Sequence, residues 1–202
     1  MSAQLFNDDV TFLQRMLCAS GCYAGLADGV FNQAVDDGEN RLADLTEQIA
    51  QQCGTFDPRS ERNIRTLHPE AQKAARQFLT ALKAAGIDAR IISGTRTYAE
   101  QDGLFAMGRN GDGRQIVTNA RGGHSNHNFG IAWDIGIFQG GTYITKDEPY
   151  AKAAKLCPAG VEWGGAWKSF PDAPHYQLAV NKTLAEVRAC FEQGKPFVTV
   201  TV

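Results

Sequence analysis

Apolar residues recur at helical spacing in several stretches of the chain. Over residues 8–20, Val10, Phe12, Leu13, Met16 and Leu17 share a face; Asn7 or Asp8 can cap the start and Gly21 can end it. A turn-rich segment follows, and Leu42, Leu45 and Ile49 predict a second helix over residues 41–52. Residues 54–60 read as a polar link. Over residues 69–85, Ala71, Ala74, Phe78, Leu82 and Ala85 form a stripe, with Pro69 suited to the first turn and Gly86 to the stop. Further helices are predicted over residues 98–107, 149–156 and 182–193. Apolar runs predict short strands at 89–92, 131–138 and 175–178, and Val198, Val200 and Val202 alternate with threonines as an edge strand would. Between them lie a glycine-rich loop at 109–123, a turn at Gly140 and Gly141, and a loop around Trp163. Helices and strands mix without regular βαβ alternation, which predicts an α+β fold.

One strand holds a residue out of character. In 131–138, Ile131, Trp133, Ile135 and Ile137 face one side, while Asp134 shares the other with Ala132 and Gly136. A carboxylate buried beside small residues needs a cation or several donors. Asp134 is therefore a metal ligand or half of a structural ion pair, and its small neighbours leave room for something bound. His127 precedes it in Ser125-Asn126-His127-Asn128-Phe129-Gly130, and Asp172-Ala173-Pro174-His175 follows. A catalytic zinc site takes three protein ligands and keeps a fourth position open. His127, Asp134 and His175 are the candidate ligands. Asp172, three residues before the last of them, is the candidate base for the attacking water.

Composition narrows the class. The 202 residues are 43% apolar and 21% charged, an ordinary globular balance for one core with or without a small appendage. A net charge of −2 argues against a large nucleic-acid surface. No run approaches the ~20 apolar residues of a membrane helix. Asp8 and Asp9 stand where a secretory leader would be basic, so synthesis in the cytoplasm is expected. The five cysteines, Cys18, Cys22, Cys53, Cys157 and Cys190, lack paired zinc-site spacing and are expected as free thiols. A monomer is expected.

The joint pattern Ser-x-His-x-x-Gly-x-Ala-x-Asp, then Asp-x-x-His, resembles the zinc peptidases that include VanX- and VanY-type D-alanyl-D-alanine peptidases and L-alanyl-D-glutamate endopeptidases, whose fold is shared with the hedgehog signalling domain. Ser93-Gly94-Thr95-Arg96-Thr97, Gln101, Gly108-Arg109, Val117-Thr118-Asn119-Ala120 and Trp163-Gly164-Gly165-Ala166-Trp167-Lys168-Ser169-Phe170 are similar to the endopeptidase branch, including phage endolysins. The resemblance covers residues 56–178. It implies a hedgehog-like zinc domain, with a small antiparallel sheet flanked by helices, that cuts between L-alanine and D-glutamate in the peptidoglycan stem peptide. A D-alanyl-D-alanine carboxypeptidase or dipeptidase would use the same residues, and a zinc-stabilised wall-binding module is the non-enzymatic alternative. It also implies delivery to the wall by a holin-type or specialised export device.

The resemblance gives Arg96 a role at a peptide carboxylate or at the oxyanion, against a structural salt bridge. Ser125, Gln101 and Trp163 are substrate-side candidates; their alternatives are loop shaping, a solvated face and core packing. Arg109 carries the same choice as Gln101, and Trp167 the same choice as Trp163. His124 lies outside the motif and His68 reads as structural. Ala166 stands where the family often has an acidic residue. Separately, Val10, Leu13, Gln14, Leu17, Gly21, Tyr23, Gly25, Asp28, Gly29 and Phe31 resemble the first half of small peptidoglycan-binding modules. The acidic run 36–40 departs from that pattern. Residues 1–40 are thus either part of a wall-binding segment or a helical appendage to a peptidase domain at 41–202.

Overall fold

The computed structural model describes residues 2–109 and 111–198. These form seven α-helices: α1 (Ser2–Ala19), α2 (Gln33–Cys53), α3 (Pro58–Ile64), α4 (Pro69–Ala84), α5 (Tyr98–Ala106), α6 (Asp147–Ala154) and α7 (Leu184–Glu192). Five strands accompany them: β1 (Asp88–Ser93), β2 (Ala132–Gln139), β3 (Thr142–Tyr143), β4 (Val161–Trp163) and β5 (His175–Leu178). The mixture is α+β, as expected. The chain divides into two compact units, residues 1–42, 96–129 and 181–202, and residues 43–95 and 130–180.

The second unit is built on an antiparallel sheet of order β1-β2-β5-β4, with β3 paired to β2. The alternation in β2 works as the sequence requires. Trp133, Ile135 and Ile137 join Ile91 and Tyr176 in a core closed by Phe78, Leu79 and Leu82 of α4. Phe78 and Tyr176 pack with their rings tilted and centroids 4.6 Å apart. Gly136 departs from expectation. A Cβ there would sit 2.9 Å from Tyr143 and 3.0 Å from Ile92, so this small residue admits neighbouring side chains rather than a ligand.

Helix α3 begins within the stretch expected as a polar link, taking its residues 58–60 and continuing to Ile64. Asp57 accepts hydrogen bonds from the Arg59 and Ser60 amides and Pro58 opens the first turn, so the start signals outweigh the low apolar content. Its side chains finish the outer strand: Ser60 Oγ accepts from the Ile91 amide and Asn63 Nδ2 donates to the Ile91 carbonyl. These bonds satisfy β1 beside a register irregularity between Ile91 and Ser93.

In the first unit, α1 and α7 share an aromatic cluster. Phe191 lies 5.5 Å from Phe12 and 5.3 Å from Phe129, centroid to centroid, both edge-on. Helix α2 starts at Gln33, ahead of the expected residue 41. Asn32 Oδ1 accepts from the Ala34 and Val35 amides, and Asp36 sits in the first turn, where the helix dipole favours it. The acidic run is the exposed side of this helix, with Val35 and Gly38 buried on the other. Val198 lies in no strand, and Val200 and Val202 fall outside the described residues.

Candidate metal centre

Strand pairing explains why residues forty-one apart in sequence meet. His175 on β5 stands directly across from Asp134 on β2, and Ser93 of β1 pairs with Asp134 from the other side. His175 Nδ1 lies 3.3 Å from Asp134 Oδ1. His127 comes from the 3₁₀ turn Asn126–Phe129 and is 2% exposed. That turn is tied down locally: the Arg96 amide donates to the His127 carbonyl, and Asn128 Nδ2 donates to the Arg96 carbonyl. Asn128 Oδ1 accepts from the Gly123 amide. Among the described residues, His127, Asp134 and His175 each offer a ligand atom, all within 4.8 Å of one another.

The electrostatics favour a cation. Burial opposes a charged His175 imidazole, but the hydrogen bond and charge of Asp134 outweigh it, and its pKa is raised above the ordinary histidine value. A field that draws a proton to this buried spot also draws a metal ion, which would displace the proton. Two imidazoles and one carboxylate form a donor set that fits zinc with a position left open.

The turn carrying Asp172 and His175 is clamped from several sides. The Asp172 amide donates to the Gly164 carbonyl, the His175 amide to the Asp172 carbonyl, and the Ile135 amide to the Pro174 carbonyl. Trp163 Nε1 donates to the Ala173 carbonyl at 2.8 Å. Trp163 is half-buried and packs against the main core, so its indole holds the turn. Gly164 is required by close approach: a Cβ would lie 2.8 Å from the Asp172 carbonyl oxygen and 2.9 Å from His175 Cβ. The Trp167 ring lies over His175 at 4.9 Å and is partly exposed, as is Phe170, which takes a left-handed φ of 57°.

The other candidates are placed as follows. Arg96 is half-buried, and its Nη1 donates to Gln101 Oε1. Gln101 is fully buried, which removes the solvated-face alternative; its amide donates to the Ala120 carbonyl and the Thr118 hydroxyl. A helix position one turn inside a capping box looks surface-like in sequence, but the returning 118–120 loop covers it. Ser125 is half-buried, its Oγ accepting from the His127 amide at 3.4 Å. Arg109 donates to the Phe105 carbonyl and to Asn119. His124 is exposed and meets Arg188 Nη1 at 3.0 Å, and His68 caps α4. Sequence reasoning passed over Gln177 and Glu162. His175 Nε2 is 3.1 Å from Gln177 Oε1, and Gln177 Nε2 donates to Glu162 at 2.9 Å. The available signal was the period-two spacing of Gln177 from His175 on one strand.

A family profile described as VanY, D-alanyl-D-alanine carboxypeptidase, matches residues 64–158. The peptidoglycan L-alanyl-D-glutamate endopeptidase CwlK of Bacillus subtilis (strain 168) is 38% identical over 128 residues, covering 57% of this chain and 75% of that protein. The L-alanyl-D-glutamate peptidase of Listeria phage A118 is 31% identical over 124 residues, 59% of this chain and 41% of the phage protein. Among solved structures, the Serratia marcescens L-Ala D-Glu endopeptidase ChiX has 29% identity and a TM-score of 0.46, covering 66% of this chain and 92% of that one. The D,D-pentapeptidase VanY from a VanB-type vancomycin resistance cassette, in complex with Zn(II), has 17% identity and a TM-score of 0.43, covering 65% and 81%. With three quarters of the Bacillus protein matched at that identity, the chain belongs to the family of VanY-type peptidases and peptidoglycan L-alanyl-D-glutamate endopeptidases.

Proposed function

We propose that this protein is a zinc-dependent peptidoglycan hydrolase that cleaves the L-alanyl-D-glutamate bond of the stem peptide. The observation that carries the reading is the His127–Asp134–His175 cluster, with both histidines buried, on a chain whose curated relatives are named for that bond. In this reading those three residues hold zinc, which when bound supplies Lewis acidity and lowers the pKa of water. Asp172 takes the proton of the attacking water and returns it to the leaving amine. Arg96 pairs with negative charge, on a substrate carboxylate or on the oxyanion. Ser125 and Trp163 shape the approach through the turns they hold. No helix among the described residues is long and apolar enough to cross a membrane. Delivery to the wall by a holin-type or specialised export device belongs to the same proposal.

The experiment is mass spectrometry of purified muropeptides incubated with the protein. The expected products are a muramic fragment ending in L-alanine and a peptide beginning with D-glutamate. Release of terminal D-alanine alone would instead establish the second reading, a D,D-carboxypeptidase, which the description of the matching family profile favours.

A further inference from the structure

Gln101 is the fully buried amide of α5, and its two ends meet groups of opposite character. One end faces the Ala120 carbonyl at 2.9 Å and the Thr118 hydroxyl at 3.4 Å; the other faces Arg96 Nη1 at 3.3 Å. A backbone carbonyl can only accept, and a guanidinium can only donate. One amide orientation satisfies both: nitrogen toward Ala120, oxygen toward Arg96. A flipped amide would set oxygen against carbonyl and N–H against guanidinium at a buried position. Arg96 is held at its backbone as well. Its amide donates to the His127 carbonyl and its carbonyl accepts from Asn128 Nδ2, so the turn that presents His127 also fixes the root of Arg96. The long side chain beyond that root has large rotamer freedom, and a hold near its tip restricts it. Gln101 provides such a hold, and it is neutral.

We propose that Gln101 is a positioning residue for Arg96: its amide oxygen fixes the direction of the guanidinium, and being neutral it leaves the positive charge for a substrate carboxylate or the oxyanion. This rests on the role given to Arg96 in the proposed hydrolase. Gln101 acts through Arg96 and does not itself touch the stem peptide. The 118–120 loop completes the device, because the Ala120 carbonyl sets the amide and the amide sets the arginine. A group aimed in advance at developing charge needs no reorganisation during the reaction.

A double-mutant cycle on the full chain tests the proposal, with kcat and KM on muropeptides and Tm measured for each protein. Gln101→Met, similar in size but without the acceptor, should lower kcat/KM about 10–100-fold, the scale of a hydrogen bond to a charged group. The same change made in Arg96→Met should cost less than about 3-fold, because its target is already gone. A full second loss would show Gln101 acting on its own, through substrate or scaffold, and would overturn the proposal; so would unaltered kcat/KM in Gln101→Met alone. Gln101→Glu is the second variant, should the methionine protein fail to fold. Ionised beside its arginine neighbour, it keeps an oxygen toward Arg96 but adds a negative charge, so kcat/KM should still fall; wild-type turnover would overturn the proposal. Relaxation of the Arg96 side-chain ¹⁵N, assigned through Arg96→Met, is the readout that needs no turnover. It should show an ordered guanidinium in wild type and a freed one in Gln101→Met; a mobile wild-type guanidinium, or equal order in both, overturns the proposal. A wild type without turnover on muropeptides, yet with Arg96 ordered and freed by Gln101→Met, would overturn the hydrolase reading and leave the hold on Arg96 standing.

Discussion

Single atoms decide the behaviour of the turn that carries Asp172 and His175. Gly164 touches both residues, so Gly164→Ala must push a backbone carbonyl or the His175 side chain aside. Such overpacking costs about 1–3 kcal/mol. Because it displaces the proposed base and a proposed ligand together, kcat/KM should drop about 100-fold, the scale of a misplacement near 1 Å. Thermal unfolding and steady-state kinetics on the same sample check both. Asp172→Asn is the contrasting change. It should leave zinc binding intact and lower kcat about 10²–10⁴-fold on muropeptides, the usual size for loss of a general base; near-normal turnover would require a different base. His127→Ala should lose zinc and turnover together by elemental analysis and assay, since it leaves two of three proposed ligands. The residues of this cluster were legible in the sequence because each stood out locally: a carboxylate in an apolar strand, a histidine in a short turn and another at the head of a short strand. Gln177 carried only its period-two spacing from His175, while Glu162 acts through the β4–β5 register and Gly164 through its close approach to the 172–175 turn, neither of which a local pattern encodes.

Among the elements, α3 shows what sequence periodicity leaves out. Seven residues are too few for an apolar stripe, so its signals were the Asp57 cap and Pro58. Its contribution to stability lies in one ion pair. Arg76 of α4 is fully buried and makes paired bonds of 2.7 and 2.8 Å to Glu61, with a third to the Gly54 carbonyl. Glu61 in turn accepts from the Phe56 amide. Removing the carboxylate leaves the guanidinium buried and short of its partner, so Glu61→Ala should cost about 3–5 kcal/mol in chemical denaturation. The pair also sets an acid limit. Burial raises the Glu61 pKa, but the hydrogen bonds from Arg76 and Phe56 outweigh it and hold the carboxyl below the usual glutamate range. A depressed folded pKa means that, as the pH falls, the unfolded chain takes up this proton first. The stabilisation is complete above the ordinary value of about 4.3 and is lost as the pH falls through the lowered folded value. Unfolding free energy measured below about pH 4.5 should therefore fall more steeply in wild type than in Glu61→Gln.

For the whole molecule, the α+β class and three of the strands were legible because their apolar runs are flanked by turn residues. The reach of α2 was not, since an acidic helix start is indistinguishable from a loop until its buried side, Val35 and Gly38, is seen packed. This bears on the N-terminal residues, whose resemblance to a wall-binding module invites the idea that they can be removed. Their packing argues otherwise. Phe12 of α1 lies against Phe191 of α7, Phe191 is fully buried, and its next neighbour is Phe129, the last residue of the turn that holds His127. Gly29 and Asp28 are in turn bonded to Gln14 of α1, so the 22–31 loop and the helix form one piece. Deleting residues 1–31 would open this aromatic cluster to water. Truncating even one fully buried phenylalanine typically costs about 3–5 kcal/mol, a large share of the ~5–15 kcal/mol that holds a domain folded. The deleted protein should therefore lose turnover on soluble muropeptides as well as on intact sacculi, with a lowered Tm. A separable binding module predicts a different pattern: unchanged Tm, full activity on soluble muropeptides, and loss confined to sacculi. Phe12→Ala gives a smaller version of the first pattern in the full-length chain, because it thins the cluster while leaving the 22–31 loop in place.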